Sequence, residues 1–119
     1  MTAPLTGKRI LVVEDESILS MLLEEALTDE GASVVGPAAS LEAALSLASQ
    51  ADLDAAILDV NLAGVESYPV AELLEQRRVP YVFATAYSRN SNDKLVSARM
   101  IRKPYALREL IDALRAMVT

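Results

Sequence analysis

The feature that most constrains this chain is an alternation of five short strand-like runs with helix-patterned segments. The runs cover residues 10–13, 32–35, 55–58, 81–84 and 99–102, and they are apolar almost throughout. Strands that are apolar on both faces need cover on both faces, which calls for a parallel sheet with helices on each side. The first helical segment carries Ile18, Leu19, Leu22, Leu23, Ala26 and Leu27 at i, i+3, i+4 spacing, so these six are expected to be buried. Gly31 follows where a C-terminal cap glycine belongs. Gly36-Pro37 is expected to end the second strand. Ser40 is placed to cap a helix whose buried stripe is Leu41, Ala44, Leu45 and Ala48. Residues 61–67 read as a loop, and Pro69 as a first-turn residue of a helix that buries Val70, Leu73 and Leu74. A short, poorly patterned helix is expected after the polar residues 85–93. The last helix sets Leu107, Leu110, Ile111, Leu114 and Val118 on one face.

Five such units in 119 residues predict a single α/β domain of flavodoxin-like, doubly wound (βα)5 form, with strand order 2-1-3-4-5. Composition removes several classes of function. The chain has no cysteine and no histidine, so thiolate chemistry, His-ligated zinc and a Ser-His-Asp triad are excluded. Eleven basic against 17 acidic residues give a net charge of −6, which speaks against nucleic acid as a partner. No apolar run approaches the ~18 residues of a membrane span, and the N-terminus lacks the apolar segment of a secretory signal. A soluble, cytoplasmic, acidic domain is therefore expected.

In open parallel sheets, sites form beyond the carboxyl ends of the strands, near the point where strand order reverses. The residues there are Glu14 and Asp15 after the first strand, Asp59 after the third, Thr85 after the fourth and Lys103 after the fifth. Each has a plainer reading. Glu14 and Asp15 could cap or complement the following helix, and Asp59 could form an Asx turn. Thr85 could be a structural strand-end residue, and Lys103 a solvated one. Those readings leave the gathering of three carboxylates at one edge unexplained. Clustered carboxylates repel at low dielectric, and a divalent cation removes that cost. Hard oxygen ligands without His or Cys indicate Mg²⁺.

Over residues 8–118 the sequence resembles the receiver domains of two-component response regulators. Glu14-Asp15, Asp59, Thr85 and Lys103-Pro104 carry the resemblance. The stretches NLAGVESYPVAELL (residues 61–74) and VPYVFATAY (residues 79–87) are similar to a branch with a Phe-Ala-Thr-Gly-type motif, often found as stand-alone receivers. The resemblance implies that Asp59 is the phosphoacceptor. It implies Mg²⁺ held by Glu14, Asp15, Asp59 and the backbone carbonyl of Asn61. Lys103 would pair with phosphoryl oxygens from a cis Lys103-Pro104 bond, and Thr85 would hydrogen-bond the phosphoryl group and shift the loop that follows it. The implied partners are a sensor histidine kinase of the HWE/HisKA2 type and a downstream protein or phosphotransfer partner. Residues 1–119 are then expected to form one receiver domain with no output domain.

Two positions depart from the pattern. Met100 stands where many receivers place a strand-5 switch aromatic, and Ala86 where the branch has glycine. Tyr87, two residues beyond Thr85, is the natural substitute for the switch. Three other functions compete: a phosphate sink or relay intermediate, a Mg²⁺-dependent phosphohydrolase with an aspartyl nucleophile, and a binding scaffold that is never phosphorylated. The hydrolase pattern would place a second Asp where this chain has Asn61.

Overall fold

The computed structural model describes residues 5–62, 64–85, 99–102 and 107–118, with the backbone alone at 85, 99–102 and 107. Five strands, β1 (Arg9–Val13), β2 (Ser33–Ala38), β3 (Ala55–Leu58), β6 (Tyr81–Thr85) and β7 (Arg99–Arg102), form one parallel sheet. Their order, β2-β1-β3-β6-β7, is the doubly wound order expected from the sequence. Four helices flank it among the described residues: α1 (Ser17–Asp29), α2 (Leu41–Gln50), α3 (Tyr68–Gln76) and α4 (Leu107–Val118). The helix expected between the fourth and fifth strands of the sheet falls outside the described residues. No described helix is long and apolar enough to cross a membrane.

Alternation along each strand divides the core in two. Ile10, Val12, Ala55, Ile57, Val82 and Ala84 face Leu23 and Leu27 of α1 and Leu110, Ile111 and Leu114 of α4. Leu11, Val13, Ala56, Leu58 and Phe83 face Ala44 and Ala48 of α2 and Val70, Ala71 and Leu74 of α3. Both faces of the sheet are thus buried, which is why its strands lack polar alternation. Leu5, ahead of the residues 8–118 that carry the family resemblance, is also fully buried, and its N–H donates to Glu30 O.

Three local expectations need correction. Ile18 and Leu22 belong to the expected buried stripe of α1 but are 71% and 43% exposed. At about 100° per residue the six apolar positions span half the helix circumference, more than one contact face can cover. The sheet and α4 take the side bearing Ser20, Leu23 and Leu27, and leave Ile18 and Leu22 outside. Second, Gly36-Pro37 does not end β2. The strand runs on to Ala38 through a bulge, with a cis peptide bond and Gly36 at φ +100°. Third, residues 61–67 are not plain loop. β4 (Asn61–Leu62) and β5 (Val65–Glu66) pair as a small antiparallel hairpin, turned at Gly64 with φ +93°.

Helices α1 and α3 end in the same way with different residues. After α1, Gly31 N–H bonds to Thr28 O and Ala32 N–H to Leu27 O, the two bonds of a Schellman cap. Gly31 lies at φ +90°, and a Cβ there would meet Thr6 Oγ1 at 2.6 Å and Thr6 Cα at 2.9 Å. After α3 the same bonds run from Arg78 to Glu75 O and from Val79 to Leu74 O, but the left-handed position holds Arg78 at φ +60°. An L-residue with a Cβ is strained there. Arg78→Gly is therefore expected to stabilise the protein by about 0.5–1 kcal/mol, after allowing for glycine's greater unfolded-state entropy. A urea midpoint that rises at unchanged m-value checks it.

Phe83, at the centre of β6, meets Tyr68 and Tyr81 edge-on, with ring centroids 5.6 and 5.5 Å away. Burial, and then the Glu75 carboxylate that accepts its hydroxyl at 2.6 Å, push the Tyr81 phenol well above its usual range.

Candidate functional site

β1 and β3 are register neighbours, with Val13 opposite Leu58, so Glu14 and Asp59 leave adjacent strands at the same level. The ladder still directs both residues. Asp59 N–H donates to Val13 O at 2.9 Å, and Glu14 N–H donates to Ala38 O at 3.0 Å. Beyond this point the chain leaves β1 for α1 on one face of the sheet and β3 for α3 on the other. That divergence opens the crevice expected where strand order reverses.

Glu14, Asp15 and Asp59 come together there, each offering a carboxylate oxygen within 4.8 Å of the others. Glu14 and Asp59 are buried, and Asp15 is half-buried. At that separation each charged pair repels by roughly 3 kcal/mol at an effective dielectric of about 20. Folding has therefore concentrated negative charge where desolvation penalises it most. The donor set is all-oxygen, which suits a small hard cation such as Mg²⁺ and fits no soft metal.

The plainer readings of these residues hold in part. Glu14 Oε2 accepts from Glu16 N–H at 3.2 Å, in the residue just before α1. Asp59 Oδ1 accepts from Asn61 N–H at 3.3 Å, the bond of an Asx turn. The same two carboxylates belong to the cluster, so the structural and chemical roles share the same side chains. The Asn61 side chain points elsewhere: its Oδ1 accepts from Gly64 N–H at 2.6 Å and closes the β4–β5 turn.

Thr85 is the last residue of β6, on the same edge of the sheet, and pairs in register with Arg102 at the end of β7. Its side chain, together with Tyr87, Lys103 and Pro104, lies outside the described residues. Met100 is in register with Phe83.

One residue at the site escapes a reading of the sequence. Ser67 is fully buried, and its hydroxyl donates to the backbone carbonyl of Asp59 at 2.6 Å. A serine just ahead of a Pro-containing first turn reads as a helix N-cap. It does occupy that position before α3, yet its side chain makes no capping bond. Its spacing from Asp59 carries no local signal, because the hairpin that folds it back is itself unmarked in the sequence.

Comparison with known proteins agrees with this geometry. Residues 10–115 match the family model of the response regulator receiver domain. The transcriptional regulatory protein TcrA of Mycobacterium tuberculosis is 36% identical over 94% of this chain, which corresponds to 46% of TcrA. The solution structure of SdrG from Sphingomonas melonis is 37% identical and superposes with a TM-score of 0.81, covering 99% of this chain and 100% of SdrG. Response regulator TrrA of Thermotoga maritima, solved in complex with Mg²⁺-BeF, is 30% identical at a TM-score of 0.81, covering 92% of this chain and 98% of TrrA. The chain spans about half the length of TcrA and 63% of the regulator PdtaR, another curated relative it matches. A carboxylate cluster at the switch point of a β2-β1-β3-β6-β7 sheet and a family match across nearly all of the chain lead to one assignment: this chain belongs to the response regulator receiver domains.

Proposed function

We propose that the chain is a phosphoacceptor that takes a phosphoryl group onto Asp59 from a sensor histidine kinase of the HWE/HisKA2 type. The observation that carries this reading is the convergence of Glu14, Asp15 and Asp59 within 4.8 Å. The Asp59 carboxylate is the nucleophile. One of its oxygens bonds to phosphorus as the phosphorus–nitrogen bond of the donor phosphohistidine breaks, and the electron pair stays on the imidazole nitrogen. Glu14, Asp15, Asp59 and the Asn61 backbone carbonyl are the groups that would hold Mg²⁺. When bound, that ion neutralises the carboxylates and lets an anionic phosphoryl group approach. Lys103 supplies a point charge to the phosphoryl oxygens, and Thr85 a hydrogen bond. Movement of Thr85 and the loop beyond it, with Tyr87 as the reporting aromatic, changes binding of a downstream protein or phosphotransfer partner. The reaction asks for positioning and charge neutralisation rather than protein acid–base catalysis, so a chain without histidine can support it.

The hydrolase alternative loses support at Asn61, whose side-chain oxygen is committed to Gly64 N–H. Incubation with acetyl phosphate, followed by intact mass measurement, is expected to add one phosphoryl group only when Mg²⁺ is present. Asp59→Asn should remove the adduct. An Asp59→Asn protein that labels as fast as the wild type would refute the assigned acceptor, and steady turnover of a small phosphate ester would favour the hydrolase.

A further inference from the structure

We infer that Ser67 is a positioning residue for the phosphoacceptor, holding both Asp59 and the Asn61 carbonyl through a double clamp on the chain between them. This rests on the reading of Asp59 as the acceptor. Ser67 is 0% exposed and uses all of its polar groups locally. Its hydroxyl donates to Asp59 O at 2.6 Å, and its N–H donates to Val60 O at 2.8 Å. Its own carbonyl accepts from Val70 N–H at 2.9 Å, in the first turn of α3. One side chain and one peptide group therefore fix two consecutive peptide planes after β3 and fasten them to a helix.

The consequence reaches the acidic cluster through strand geometry. In an antiparallel pair, hydrogen-bonded and non-bonded residue pairs alternate, and a residue's N–H and C=O point to the same side. Val60 and Ser67 are a bonded pair, so Asn61 and Glu66, next in register, are the non-bonded one. The Asn61 main chain then turns away from β5. Its N–H does so toward Asp59 Oδ1, at 3.3 Å. By the same alternation its carbonyl lies on the side that its N–H shares with Asp59 Oδ1. Without the Ser67 hydroxyl, Asp59 O loses a buried donor and the peptide loses the bond that fixes its orientation, so it can rotate. That rotation moves the acceptor carboxylate and the Asn61 carbonyl together, and displacements of about 1 Å are enough to slow positioned chemistry severely.

The test compares wild type, Ser67→Ala and Ser67→Gly with Val79→Ala. Val79 is a buried residue at the far end of α3, and its truncation supplies destabilisation without touching the clamp. Mg²⁺ affinity is read by amide shift titration, labelling by acetyl phosphate at saturating Mg²⁺, and stability by thermal midpoint. Both Ser67 variants are expected to label about tenfold more slowly and to bind Mg²⁺ several-fold more weakly. Val79→Ala should stay within twofold of wild type in both. Ser67 variants within twofold of wild type, or a Val79→Ala protein that loses as much, would overturn the inference. If the wild type binds Mg²⁺ but is never labelled, the phosphoacceptor reading fails instead, and Mg²⁺ affinity alone decides the role of Ser67.

Discussion

Replacing Glu14 by Gln and Asp15 by Asn together is expected to raise the thermal midpoint of the Mg²⁺-free protein while abolishing its response to Mg²⁺. The three carboxylates of the cluster lie within 4.8 Å, two of them buried, so the folded state carries repulsion that the unfolded chain does not. Amides keep the shape of both side chains, and the amide oxygen introduced by Glu14→Gln can still accept from Glu16 N–H as the carboxylate does. Two terms oppose the gain. A charge-assisted bond becomes an ordinary one, and the favourable interaction of acidic groups with the α1 N-terminus is lost, each worth about 0.5–1 kcal/mol. The variant removes all three pairwise repulsions, and even at water-like screening, about 1 kcal/mol per pair, their relief exceeds that sum, so the net stabilisation is at least about 1 kcal/mol, or ~4 °C for a domain of this size. If the cluster binds Mg²⁺ as proposed, wild type is expected to gain about 2.7 kcal/mol at a hundredfold excess over the dissociation constant, and the variant none. Thermal scans with and without Mg²⁺ check both signs at once. A lower midpoint for the Mg²⁺-free variant would mean that helix-end electrostatics outweigh repulsion, and the cluster would lose its argument as a built cation site.

The sequence made the sheet legible because its strands are buried on both faces. Runs such as Val12-Val13 and Ile57-Leu58 carry no competing helical pattern, and the acidic residues directly after them end the apolar stretch at the right level. Once strand order follows from topology, Glu14, Asp15 and Asp59 must meet, whatever the side-chain details. What was not legible depends on tertiary choices between locally equivalent options. Ile18 and Leu22 are as apolar as Leu23 and Leu27, and only packing against the sheet and α4 decides which side of α1 is covered. Gly36-Pro37 has the composition of a strand terminator, yet pairing with β1 carries β2 through it as a bulge. The β4–β5 hairpin is too short for a periodic signal, and without it the position of Ser67 has no meaning. Ser67 was invisible for a further reason: its partner is a main-chain carbonyl eight residues away, and carbonyls leave no mark on sequence.

Phe83→Ala is expected to destabilise the protein by about 3–5 kcal/mol, the usual range for emptying a buried phenylalanine site. Phe83 is fully buried on β6, between Leu58 of β3 and Met100 of β7 in register, and it is the core contact of both Tyr68 and Tyr81. The cavity cannot collapse easily, because its floor is the hydrogen-bonded centre of the sheet. Edge-on ring contacts of this kind add about 0.5–1.5 kcal/mol each beyond area burial, so the upper half of the range is the better expectation. On a domain with a typical stability of about 5–15 kcal/mol, this lowers the midpoint on the order of 15 °C. The effect also has a path to the site. Tyr68 opens α3 directly after Ser67, and Leu58, the register partner of Phe83, directly precedes Asp59. Loosening Tyr68 relaxes the anchor of the Ser67 clamp from the helix side. Phe83→Leu, which refills most of the volume without an aromatic edge, should recover more than half of the stability. Urea denaturation of the three proteins checks the order wild type, Leu, Ala. An Ala variant within about 1 kcal/mol of wild type would show that the aromatic cluster is not a main element of this core.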